Sequence, residues 1–277
     1  MMTRITKDTI NELTIQPLIV AIPNYKSFFY TFHTVEPIEI GRLQDDYIES
    51  TEHIKGGYVL LTSDAIQYGG AMEFLTSVKR LLDLYLHLMQ AVKMMNDASI
   101  VHLNICFRNI IVKDGTLPLL KGLEQATIIN EQATIINLDQ AIKTIQNPIE
   151  CRTIRHLLTH KLASISKSTI YDICGDNKEE QTFLSKYINK PVSYIIGSLL
   201  QYSSTWNVYS LNELILKLLN NPLQPDSFLY KWKELLKRGV AVNYRGTPEY
   251  FIEQTKTLMY ITEISELTTA TSSSALF

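Results

Sequence analysis

Between positions 78 and 95 apolar residues fall at 78, 81, 82, 85, 88, 89, 92 and 95. Steps of three and four put them on one continuous stripe of a helix. A stripe of that length has to be covered, so the chain must build a core around this helix. A second helix is predicted over 206–219, with Val208, Leu211, Leu214, Ile215, Leu218 and Leu219. It is apolar on more than one face, which places it at the centre of the fold. Between the two helices lie short segments of β type: Ile110-Ile111-Val112, Leu117-Pro118-Leu119-Leu120 and two Ala-Thr-Ile-Ile runs.

Glycine is sparse, at 11 residues, and the first is Gly41, so a phosphate-cradling glycine loop has little to be built from. The close pairs Gly56-Gly57 and Gly69-Gly70 match neither G-x-G-x-x-G nor a Walker loop. They flank the β-type run Tyr58-Val59-Leu60-Leu61-Thr62 and read as turn punctuation. One seven-residue unit, Glu124-Gln125-Ala126-Thr127-Ile128-Ile129-Asn130, is repeated at once as 131–137. A single pair is too short for a solenoid and reads as a tandem duplication. The polar stretch 164–190 is expected to be an exposed insertion with one short helix, and the Thr/Ser-rich 268–274 to fray.

At 277 residues with 45% hydrophobic and 19% charged side chains, the chain has ordinary globular composition, which excludes wholesale disorder. A net charge of −2 offers no general attraction to nucleic acid or an anionic membrane, and neither is expected as a partner. Cys106, Cys151 and Cys174 are odd in number and widely spaced, which fits a reducing compartment without a disulfide framework. The first residues lack a signal-type apolar run, and no run approaches the length of a membrane span. The expected location is intracellular.

Ile100-Val101-His102-Leu103-Asn104-Ile105-Cys106-Phe107-Arg108-Asn109 runs into the strand Ile110-Ile111-Val112. It resembles the catalytic loop of eukaryotic-type protein kinases, H-R-D-L-x-x-x-x-N followed by an apolar strand. His102 and Asn109 hold their places, Leu103 stands in the Arg slot, and Asn104 stands in the Asp slot. Downstream, Trp206-Asn207-Val208-Tyr209-Ser210-Leu211 resembles D-V-W-S-L at the start of the central kinase helix, with Asn207 in the Asp slot. Pro148-Ile149-Glu150 sits where A-P-E closes the activation segment. Arg245 sits where kinases place the arginine that pairs with that glutamate. Pro23-Asn24-Tyr25 resembles the H-P-N segment, which makes residues 10–18 the preceding helix and Glu12 its candidate glutamate. The style of these motifs resembles kinase-like proteins of giant DNA viruses, over roughly residues 10–255.

The resemblance implies an α+β, mostly α fold: protein-kinase-like, with a reduced N-terminal lobe and a helical C-terminal lobe. The implied division is 1–65 for the reduced lobe, 66–265 for the helical lobe and 266–277 for the tail. The Asp-Phe-Gly slot has two candidate fillings, Gly122, or Asn137 with Asp139 two residues on. Val20-Ala21-Ile22 ends in Pro23 where V-A-I-K has its lysine. Phosphoryl transfer relies on a glycine loop, a lysine, metal-holding aspartate and asparagine, and an aspartate that takes the substrate proton. Of these only Asn109 persists. An amide at Asn104 has no proton affinity near neutral pH.

The implied function is therefore a pseudokinase, without cofactor, acting on a protein partner as scaffold or regulator in host cytoplasm or virion. Two alternatives stand beside it. One is a weakly active or atypical Ser/Thr kinase binding ATP and Mg²⁺, with Asp139 as displaced metal ligand. The other is a structural virion protein on the same scaffold. His102, Asn104 and Asn109 read as groups that tie the loop together. The oligomeric state has no signal. Glu150, Arg245, Trp206 and Asn207 are assigned structural roles. His156 and His160 are spaced i, i+4 but lack a carboxylate cluster to complete a metal site.

Overall fold

A computed structural model describes residues 7–31, 34–39, 56–61, 68–70, 75, 77–128, 147–219, 222–225, 227–242 and 245–273. It is α+β and mostly helical. The helices are α1 (Lys7–Val20), α2 (Val78–Asp97), α3 (Ile149–Thr159), α4 (Lys167–Cys174), α5 (Lys178–Ser185), α6 (Val192–Leu200), α7 (Trp206–Leu218), α8 (Phe228–Val240) and α9 (Pro248–Ser273). The strands are β1 (Thr34–Glu39), β2 (Gly56–Leu61), β3 (Tyr68–Gly70), β4 (Ile100–Val101), β5 (Ile110–Lys113), β6 (Leu117–Leu120) and β7 (Thr127–Ile128). All strand pairs are antiparallel: β1 with β2, β5 between β3 and β6, and β4 with β7.

The Ser77 side chain caps α2 by accepting from the Arg80 N–H, which satisfies one of the free donors of the first turn. The expected stripe is buried from Leu81 to Met95, and Leu84 and Ala91 widen it. Val78 alone of the predicted set stays half exposed, because it lies in the first turn, before the neighbouring helices cover that face. α7 and α9 pack on α2, and α8 packs on both α7 and α9. Val208, Leu211, Leu214 and Ile215 of α7 close the first core against Tyr85 and Leu88 of α2 and Trp232 of α8. Each such fully buried side chain contributes roughly 1.5–3 kcal/mol.

Trp206, at the start of α7, belongs instead to a second core with Ile154, Leu157, Ile170, Phe183, Leu184, Ile195 and Leu199. This corrects the expectation for 164–190. The segment forms two helices, α4 and α5, and its Ile165, Ile170, Phe183, Leu184 and Tyr187 are buried. Each short helix brings only a few apolar residues, too few to show a stripe. The flanking helices α3 and α6 supply the matching faces. The glycine pairs are also corrected: Gly56-Gly57 opens β2 and Gly69-Gly70 lies in β3, so they are strand residues. The turn signal that does operate is Asp114-Gly115, both at positive φ (51° and 66°), joining β5 to β6.

α1 covers the predicted 10–18 and packs on the short 3-10 turn Leu123–Gln125. Residues 28–30 run beside β6, with Tyr30 N–H donating to the Leu120 carbonyl and Leu120 N–H to that of Phe28. α9 continues to Ser273, into the stretch expected to fray. Among the described residues no helix is long and apolar enough to cross a membrane.

Candidate functional site

β4 delivers the chain into the loop that resembles a catalytic loop, and β5 carries it away. Leu103 takes a left-handed conformation (φ 57°) while buried, a strained state that surrounding contacts must hold. Asn207 supplies one clamp. Its Oδ1 accepts from the His102 N–H at 2.9 Å, and its Nδ2 donates to the Ile100 carbonyl at 2.8 Å and to Asn96 Oδ1 at 3.0 Å. One buried amide at the start of α7 therefore fastens the loop entrance to the end of α2. The Asn96 contribution had no sequence signal, because a polar residue in the last turn of a helix is ordinary.

His102 is fully buried, and its ring joins two backbones. Nε2 lies 3.0 Å from the Lys121 carbonyl, and Nδ1 lies 3.3 Å from the Asn104 N–H. The first contact requires a proton on Nε2 and the second a lone pair on Nδ1, which describes one neutral tautomer. Burial pushes the imidazole down to about 4, consistent with that uncharged state.

Asn104 and Asn109 complete the loop. The Asn109 Nδ2 donates to the Asn104 carbonyl at 2.9 Å, and the Cys106 thiol lies 3.6 Å from Asn104 Oδ1. Across from Asn109 is Gly122, at φ 80°. A Cβ there would meet three atoms of the Asn109 carboxamide at 2.6–2.8 Å. The Asn109 side chain thus occupies the space that any residue larger than glycine would need. Asn137 and Asp139, the other filling of the metal slot, lie outside the described residues, as does the Glu12 side chain.

His102, Asn104 and Asn109 hold backbone in place: the two amides have no proton affinity near neutral pH, and both ring nitrogens of His102 are engaged with backbone groups. Among the described residues no group of three or more His, Cys, Asp or Glu could hold a metal ion. The three cysteines are free thiols, and burial raises Cys151 and Cys174, the latter to about 11.

Glu150 and Arg245 meet, 95 residues apart in sequence. Arg245 Nη1 donates to Glu150 Oε2 at 2.8 Å, and the two side chains are 3% and 0% exposed. Arg245 Nε also donates to the Ala241 carbonyl at 3.2 Å, and the guanidinium sits 4.9 Å above the Tyr209 ring. α3, α7 and the entry to α9 are tied together at this point. Neither the Ala241 nor the Tyr209 contact was legible, since a backbone carbonyl and an aromatic ring carry no net charge that would mark them as partners of Arg245. No protein-family model and no curated protein matches the chain.

Proposed function

We propose that this chain is a pseudokinase: a kinase-like helical lobe that has lost phosphotransfer and acts by engaging a protein partner as scaffold or regulator. The observation that carries the reading is the Asn109 carboxamide packed into the space beside Gly122. An aspartate at 122 would have to displace it, and a metal would lose its strongest ligand. Asn104 removes the proton acceptor as well. What supports kinase-like architecture is the set of distant ties: Asn207 on the loop entrance, Arg245 on Glu150, and α1 against the turn after Gly122.

The test is a thermal-shift series with ATP, alone and with Mg²⁺ or Mn²⁺. A ligand present at about 100 times its Kd would add about 2.7 kcal/mol, or about 5–11 °C for a chain of this size. The expected result is a shift below about 1 °C in every condition. A metal-dependent shift in the larger range favours the atypical kinase and overturns this reading. Affinity purification of the tagged chain from cells that make it should then yield a protein present in stoichiometric amount.

A further inference from the structure

A cavity of about 300 Å³ opens between the carboxyl half of α3 and α4. Arg155, His156 and Thr159 line it from α3, His160 from the cap that follows, and Asp172 from α4. Positions three and four apart share one helix face, so these side chains converge. Arg152 forms part of the wall, but its charge is already engaged by Glu180, and its Nη1 donates to the Ile173 carbonyl at 3.0 Å.

We propose that this cleft binds a tetrahedral oxyanion, the phosphate group of a phosphomonoester. Arg155 is half-buried, and among the described residues its guanidinium has no hydrogen-bond or ion-pair partner. Its fork of donors is the side-chain group best matched to phosphate oxygens. The His156 and His160 rings lie 4.4 Å apart, centroid to centroid, close enough for one anion to bridge them. His156 is held below its ordinary value by burial first and by His160 second, while Asp172 pulls the other way. With both imidazoles protonated, the two imidazolium charges and Arg155 outweigh Asp172 by two, which matches a phosphate dianion. Both histidines sit at the carboxyl end of α3, where the helix dipole repels an anion. Binding of an anion of fixed double charge therefore strengthens as pH falls. Thr159 adds a neutral hydroxyl at the rim.

Isothermal titration of the full chain with sulfate at pH 6 and pH 8, at fixed chloride, isolates the imidazoles, because sulfate keeps its double charge throughout. Binding should weaken at least about tenfold from pH 6 to pH 8, and about tenfold or more at pH 6 in Arg155→Gln and in His160→Gln. Lys167→Gln, at the start of α4 and lining a different cavity, should leave it unchanged. His160 is exposed, so its variant remains informative if Arg155→Gln fails to fold. Titration with O-phosphoserine and with inorganic phosphate at pH 6 distinguishes the sources. The ester should bind at least as tightly, and its exclusion while phosphate binds overturns the monoester assignment. Absence of sulfate binding at pH 6, equal binding at both pH values, or equal loss in Lys167→Gln overturns the site.

Discussion

Replacing Arg245 by alanine is the most informative perturbation of the helical core. It deletes an ion pair of 2.8 Å, the hydrogen bond to Ala241 and the stack on Tyr209, and it leaves Glu150 charged at 0% exposure. Removing one partner of a buried pair costs about 3–5 kcal/mol, most of it the stranded charge. For a chain of this length that lowers Tm by about 6–20 °C. Glu150→Ala strands the guanidinium instead, but Arg245 keeps Ala241 and Tyr209, so its cost should sit near the low end of that range. The double variant loses the pair only once. A urea-denaturation cycle of the four proteins should therefore return a coupling of about 2–3 kcal/mol with unchanged m. Coupling below about 0.5 kcal/mol, or an Arg245→Ala cost of about 0–1 kcal/mol as for a surface pair, would refute the reasoning.

Other consequences follow from the loop. Gly122→Ala should cost about 2–4 kcal/mol, because its Cβ collides with a pinned Asn109 at positive φ. Adding Asn109→Ala should recover part of that loss in the same denaturation assay. Asn207→Asp should destabilise at pH 8, where the new carboxylate faces the Ile100 carbonyl and Asn96 Oδ1 with no donor to offer. That penalty should shrink toward pH 4, as the carboxyl gains a proton. His102 has a folded value of about 4 against an ordinary 6.5, so the unfolded chain takes up the proton first as pH falls. The contribution is complete above pH 6.5 and declines as pH falls toward 4, by about 3 kcal/mol at its limit. The stability gap between wild type and His102→Asn should narrow by about that amount, and a constant gap would refute it.

Asn104→Asp restores one carboxylate of the resembled catalytic set, yet it should produce no phosphate incorporation into a generic protein substrate above wild type. The space beside Gly122 remains filled by Asn109, and catalytic groups that act as a unit are strongly non-additive. Radiolabel transfer by the single variant would count against the pseudokinase reading.

Sequence alone determined the elements whose signal is local and repeated. The α2 stripe follows from 3.6-residue periodicity, the central position of α7 from apolar residues on several faces, and the β5–β6 hairpin segments from short apolar runs. The tertiary structure decided what depends on partners far along the chain. Within 164–190, α4 and α5 each contribute too few apolar residues to show periodicity, and Val101, Leu103, Trp206 and Val242, distant in sequence, join α3 and α6 in turning those few into a core. In sequence Gly122 is one of two candidate fillings of the resembled Asp-Phe-Gly slot; in space a Cβ there would meet the Asn109 carboxamide, a fact carried by two residues 13 apart. His102 was legible as a loop histidine, but its tautomer was not, since the Lys121 carbonyl that sets it is a backbone group available at any residue. His156 and His160 show their spacing in the sequence, whereas Arg155 beside them, without a partner among the described residues, is a property of the packed α3–α4 face. Periodicity records how a segment meets the core as a whole. Which polar atoms find partners is settled only when distant segments close around them.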